Sequence, residues 1–102
     1  MRRTRALIKV VEILMEDPNG QHWGYDISRR AGVRSGVLYP ILQRLLDYGW
    51  LEDGWEDRAE ISEKRPPRRY YQVTAEGQTE LARVLKDAYA AAPLGRLAER
   101  PA

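Results

Sequence analysis

Two groups of side chains in this 102-residue chain have the types and spacing to grip a polyanion. Arg34, Ser35, Gly36, Tyr39, Gln43 and Arg44 cover roughly three turns if their segment is helical. Lys64, Arg65, Arg68 and Arg69 bracket the rigid pair Pro66-Pro67. An arginine fork matches phosphate oxygens or a guanine edge, and a glutamine amide matches an adenine edge. A serine at a helix start, with the unpaired N–H groups beside it, suits phosphate. On that chemistry Ser35 and Tyr39 fix a docking angle on phosphate, Arg34 and Gln43 read base edges, and Gly36 lets a backbone come close. Arg44 adds charge, although Gln43 and Arg44 would look the same on a merely solvated helix face. The second group would follow neighbouring backbone or a minor groove. Adjacent strand residues point to opposite faces, so only one of Arg68 and Arg69 is expected to turn toward a partner.

Other chemistries are poorly served. There is no cysteine and one histidine, His22, which removes disulfides, a thiolate zinc site and a Cys/His catalytic pair. No catalytic set, metal site or cofactor-binding motif is expected, and His22 is expected in a turn or at the surface. With 43% hydrophobic and 31% charged residues the composition is that of one globular unit with a modest core. No apolar run approaches the roughly 20 residues that span a bilayer, and the basic start lacks a leader-cleavage pattern. No membrane association is expected; the expected place is the cytoplasm, at the nucleoid.

The net charge of +2 hides a segregation along the chain. Between positions 52 and 63 stand six acids (Glu52, Asp53, Glu56, Asp57, Glu60, Glu63) against one base, Arg58, and the four cations at 64–69 follow at once. Phosphate contact depends on local basic surface more than on global charge. A plainer alternative is a solvated hairpin whose charges pair across its strands.

These residues must be positioned by helices and a hairpin. Apolar periodicity predicts a first helix over 4–16, ended by Pro18-Asn19-Gly20. A short helix over 25–31, with Tyr25 and Ile27 facing inward, is closed by Gly32. Ser35 is then the natural N-cap of a third helix over 36–48, with Val37, Leu38, Ile41, Leu42, Leu45 and Leu46 on its apolar half and Gly49 as terminator. Pro40 crowds the carbonyl four residues back, which belongs to the permissive Gly36. Helix, tight glycine turn, helix is a helix-turn-helix. Strands over 50–56 and 69–73 make a wing, with Trp23, Trp50 and Trp55 as packing residues. Thr74 caps a last helix over 75–92. The fold class is therefore mainly α with a small β-hairpin: a winged helix-turn-helix over 1–74, a C-terminal dimerisation helix over 75–92 and a flexible tail over 93–102.

Read in order, Trp23-Gly24-Tyr25-Asp26-Ile27-Ser28, the run from Ser35 to Leu45 containing Leu38-Tyr39-Pro40, Gly49-Trp50-Leu51, and Arg68-Arg69-Tyr70-Tyr71-Gln72-Val73-Thr74-Ala75-Glu76-Gly77 closely resemble the PadR family of bacterial transcription regulators. The resemblance covers roughly residues 7–90. It implies a winged-helix domain bound to double-stranded DNA, a dimerising C-terminal helix, and repression of nearby genes relieved by a ligand or signal. It carries no effector identity.

The last helix offers a seam of Leu81, Val84, Leu85, Ala88 and Tyr89. It can fold back on its own domain or, with Leu7 and Val11 of the first helix, pair with a second copy. A small domain with two apolar helices favours pairing, which would set two recognition helices about one DNA turn apart on a pseudo-palindromic operator. The expected function is a dimeric, sequence-specific repressor; the alternative is a winged-helix module that binds another protein.

Overall fold

A computed structural model describes residues 2–61 and 64–91. Helix α1 (Arg5–Glu16) starts where Thr4 Oγ1 accepts the Leu7 N–H at 3.1 Å, and it buries Leu7, Val10, Val11 and Leu14. That i, i+3, i+4, i+7 row is the inner face of an amphipathic helix. The Asp17–Gly20 turn follows, closed by a bond from the Gly20 N–H to the Asp17 carbonyl.

The chain then forms β1 (His22–Trp23), a strand too short to show any alternation in sequence. It corrects the expectation for His22, which is buried and has Nε2 2.8 Å from the Asp17 carbonyl oxygen. A carbonyl only accepts, so Nε2 carries the proton.

Helix α2 (Gly24–Ala31) buries Gly24, Ile27 and Ala31, and Gly32 closes it at φ 66°. Tyr25, expected inside, is 72% exposed. It stands about 200° around the helix from Ile27, so a two-turn helix cannot bury both. Ser28 Oγ donates to the Val33 carbonyl and steadies the turn into α3.

Helix α3 (Ser35–Asp47) begins one residue before its expected start. Arg34, in extended conformation, is the cap, and its carbonyl accepts the N–H groups of Val37 and Leu38 at 2.9 and 2.8 Å. Ser35 is thus the first helical residue rather than the N-cap. The buried arc is Leu38, Ile41, Leu42 and Leu45, narrower than expected, and Val37 lies outside it at 49% exposure. At the far end the Trp50 and Gly49 N–H groups return to the Leu45 and Leu46 carbonyls while Gly49 takes φ 77°. That double bond is the Schellman stop.

Strands β2 (Leu51–Trp55) and β3 (Arg69–Val73) pair antiparallel, with Leu51 opposite Val73, Asp53 opposite Tyr71 and Trp55 opposite Arg69. β1 joins the other edge of β3, so the expected two-stranded wing is a three-stranded sheet in the order β1-β3-β2. Trp55, expected to pack, is 66% exposed, because its β2 face turns to solvent beyond the helical core. A 3₁₀ turn (Arg58–Glu60) opens the wing tip.

Helix α4 (Ala75–Ala91) is capped by Thr74, whose Oγ1 accepts the Gly77 N–H at 2.9 Å and donates to the Gly49 carbonyl at 2.7 Å. Its Leu81 and Val84 are sealed in the chain's own core with Leu7 and Val11, none more than 2% exposed. These four, expected at a seam between two copies, pack within their own domain instead, the other course open to an apolar helix face. Leu85 is half-buried against the same core. Ala88 is half-buried, and Tyr89 is exposed with its hydroxyl 2.6 Å from Glu12 Oε2. The expected tail over 93–102 lies outside the described residues. Among the described residues no helix is long and apolar enough to cross a membrane.

Candidate nucleic-acid interface

Burying Leu38, Ile41, Leu42 and Leu45 forces the other side of α3 outward. Arg34, Ser35, Gly36, Tyr39, Pro40, Gln43, Arg44 and Asp47 are all exposed there. Proline has no N–H, so Pro40 cannot bond the Gly36 carbonyl. A Cβ on Gly36 would meet nothing within 4 Å, so the helix start is open to an approaching surface. Gln43 is tied to its own helix, its Nε2 donating to Asp47 Oδ1 at 2.9 Å. Among the described residues Arg34 and Arg44 have no carboxylate partner.

Tyr39 is half-exposed, and its ring lies across the start of α2: a Cβ on Gly24 would come within 2.6 Å of the phenol oxygen. Glycine at position 24 is what lets the phenol settle there. Tyr39 also acts electrostatically on Arg69 and Tyr71 of the sheet. The residue therefore stands where α2, α3 and the wing meet.

The wing cations are not free. Arg65 Nη1 and Nη2 donate to Glu56 Oε1 and Oε2 at 2.7 and 3.1 Å, a fork-on-fork pair. The same carboxylate accepts the Arg68 backbone N–H at 2.8 Å and its Nε at 3.4 Å. Held chiefly by the Arg65 hydrogen bond and then by the Arg68 N–H, the Glu56 carboxyl is drawn down from 4.5 to about 2. Arg69 Nε donates to Asp53 Oδ2 at 2.7 Å, and the guanidinium lies over the Tyr71 ring at 5.1 Å. The Asp53 bond pushes Arg69 further up, and burial raises the Tyr71 phenol.

Arg68 instead lies over the Trp23 ring at 5.2 Å, and Trp23 meets Tyr70 edge to face. The two neighbouring arginines thus take separate sites, as strand alternation requires. Arg68 closes a surface cleft of about 390 Å³ with Trp23, Tyr25, Asp26 and Arg29. Lys64 is exposed at the wing tip, where it shares a cleft of about 420 Å³ with Arg58, Ile61, Arg65 and Pro66.

The structure brings the α3 group together on one face and divides the wing group between Glu56, Asp53 and the tip. Sequence reasoning missed the parts played by Glu56, Asp53, Trp23, Gly24 and Arg58. Opposite charges at 53, 56, 65, 68 and 69 were legible, but their partners follow only from the strand register.

The Transcriptional regulator PadR-like family model matches residues 10–83. No curated protein matches the chain. Among solved structures, the protein smu.1704 from Streptococcus mutans is 26% identical, with TM-score 0.67 over 85% of this chain and 80% of that one. A PadR family transcription regulator from hypervirulent Clostridium difficile is 21% identical, with TM-score 0.66 over 85% and 88%. A PadR-like transcriptional regulator from Bacillus cereus is 20% identical, with TM-score 0.67 over 93% and 92%.

Proposed function

Because the chain belongs to the PadR-like family of transcriptional regulators, we propose that it binds double-stranded DNA through the outer face of α3, with the wing alongside, as a dimeric repressor on a pseudo-palindromic operator. The observation that carries this reading is the outer face of α3, where Arg34 and Arg44 have no carboxylate partner among the described residues and Gly36, at the helix start, leaves space for a close approach. Ser35 and Tyr39 then hold phosphate, Arg34 and Gln43 meet base edges, and Arg44 adds phosphate attraction. Gln43 must leave Asp47 to do so. Lys64, Arg65, Arg68 and Arg69 serve the adjoining backbone, the last three by exchanging a carboxylate for a phosphate. Dimerisation falls to the outer end of α4, at Leu85, Ala88 and Tyr89. Such a regulator works in the cytoplasm at the nucleoid.

Selection of bound duplexes from a random pool tests binding, symmetry and half-site spacing together. The expected product is an inverted repeat with half-sites about one helical turn apart, bound with an affinity that falls steeply with salt. Failure to enrich any duplex refutes the reading.

The second reading, a module that binds another protein, is favoured by one observation: wing carboxylates already hold Arg65, Arg68 and Arg69 while Tyr25 and Trp55 stand exposed. A contact of that kind would be nearly insensitive to moderate salt, which separates it from phosphate binding.

A further inference from the structure

Six large apolar side chains are exposed among the described residues, and five of them are aromatic; the sixth is Val37, in the first turn of α3. Its position is unusual for its chemistry. A β-branched residue is a poorer helix former than alanine, and burial normally offsets that. Here the packed arc runs through Leu38, Ile41, Leu42 and Leu45, and Val37 remains 49% exposed. Arg34 lies three residues before it and Arg44 seven after, both within about 60° of it around the helix. Val37 is thus an apolar group flanked by the two cations of α3 that have no carboxylate partner among the described residues. The Cβ position of neighbouring Gly36 faces open space, so the chain leaves this turn uncovered.

Resting on the DNA reading above, we infer that Val37 is a specificity residue that reads the C5-methyl group of a thymine. Chemistry leaves it little else to read. A valine side chain neither donates nor accepts, so it cannot distinguish bases by hydrogen bonding. The only apolar group on the major-groove edge of a base pair is the thymine methyl. An exposed valine carried into that groove by α3 therefore gains from one base and leaves the polar edges of the others unpaired. This role differs from those of Arg34 and Gln43, which depend on donors.

The test uses the full chain and the duplex recovered by pool selection. Each thymine is replaced in turn by deoxyuridine, which removes the methyl and keeps every hydrogen-bonding group. Dissociation constants are measured by fluorescence anisotropy for the native protein, Val37→Ser and Val37→Thr. The native protein should lose about fourfold in affinity at one thymine per half-site, the equivalent of one buried methyl, and Val37→Ser should lose nothing further there. Val37→Thr keeps the shape and one methyl and should retain part of the effect. Equal losses in the native protein and Val37→Ser at every thymine, or no loss anywhere, would overturn the assignment while leaving DNA binding intact. Failure to recover any duplex would overturn both.

Discussion

Tyr39 and Glu56 show how one side chain can carry two duties. The Tyr39 phenol oxygen lies against Gly24, while the residue as a whole is half-exposed beside the wing. Tyr39→Phe should keep the packing and weaken binding to specific and random duplexes alike, by roughly three- to tenfold for one missing hydrogen bond. A loss confined to one base position in anisotropy titrations would show instead that the phenol reads sequence. Glu56 holds the wing cations, and its carboxyl lies at about 2 when folded against 4.5 when not. A depressed folded value stabilises the native state fully above the unfolded value and loses that contribution as pH falls from about 4.5 toward 2. Glu56→Gln should therefore flatten that part of the stability profile in urea titrations. Because it also releases Arg65 and Arg68, the same variant should bind duplex DNA more tightly at low salt. An unchanged acid limb would mean that the pairing contributes nothing to folding.

At the scale of elements, two glycines make opposite demands. Gly77 lies so close to β2's approach that a Cβ there would fall 1.8 Å from the Trp50 carbonyl oxygen, whereas a Cβ on Gly36 meets open space. Gly77→Ala must push α4 off the sheet junction and should destabilise the fold by about 1–3 kcal/mol in thermal or chemical unfolding. Gly36→Ala should leave stability equal or raised by up to about 1 kcal/mol, since alanine gives up less freedom in a helix. Its effect belongs to binding: an added methyl at the α3 start should weaken duplex affinity about tenfold. If Gly36→Ala binds as well as the native chain, the backbone there does not approach a partner closely.

For the molecule as a whole, the packing of α4 narrows where two copies can meet. Leu81 and Val84 are spent on the internal core, whereas Ala88 is half-buried and Tyr89 exposed toward the outer end of the helix. Light scattering at micromolar concentration should give a dimer, and Tyr89→Arg should shift it to monomer without lowering the unfolding midpoint. A monomer in both cases would dismiss dimerisation through this end. Charge is the other whole-molecule property. With Arg65, Arg68 and Arg69 paired internally, the proposed phosphate contacts of the wing would replace a carboxylate partner with a phosphate. A double Arg68→Ala, Arg69→Ala change should lower the salt slope of binding by about one to two, roughly one for each phosphate that an arginine no longer neutralises.

Helix periods, glycine stops at Gly32 and Gly49, the Thr74 cap and the span of β3 were all legible along the chain, because each is decided by a residue and its near neighbours. Local patterning also marked the polar side of α3 that the fold leaves exposed. Tertiary structure alone decided which of two apolar surfaces wins a residue. It placed Leu7, Val11, Leu81 and Val84 inside one chain, left Val37 and Tyr25 outside, and drew His22 into a strand. It also decided the wing's electrostatics, because the acids and bases that are separate blocks in sequence become neighbours only when β2 and β3 pair in one particular register. Burial and charge pairing depend on distances between elements, and a linear spacing does not contain those distances.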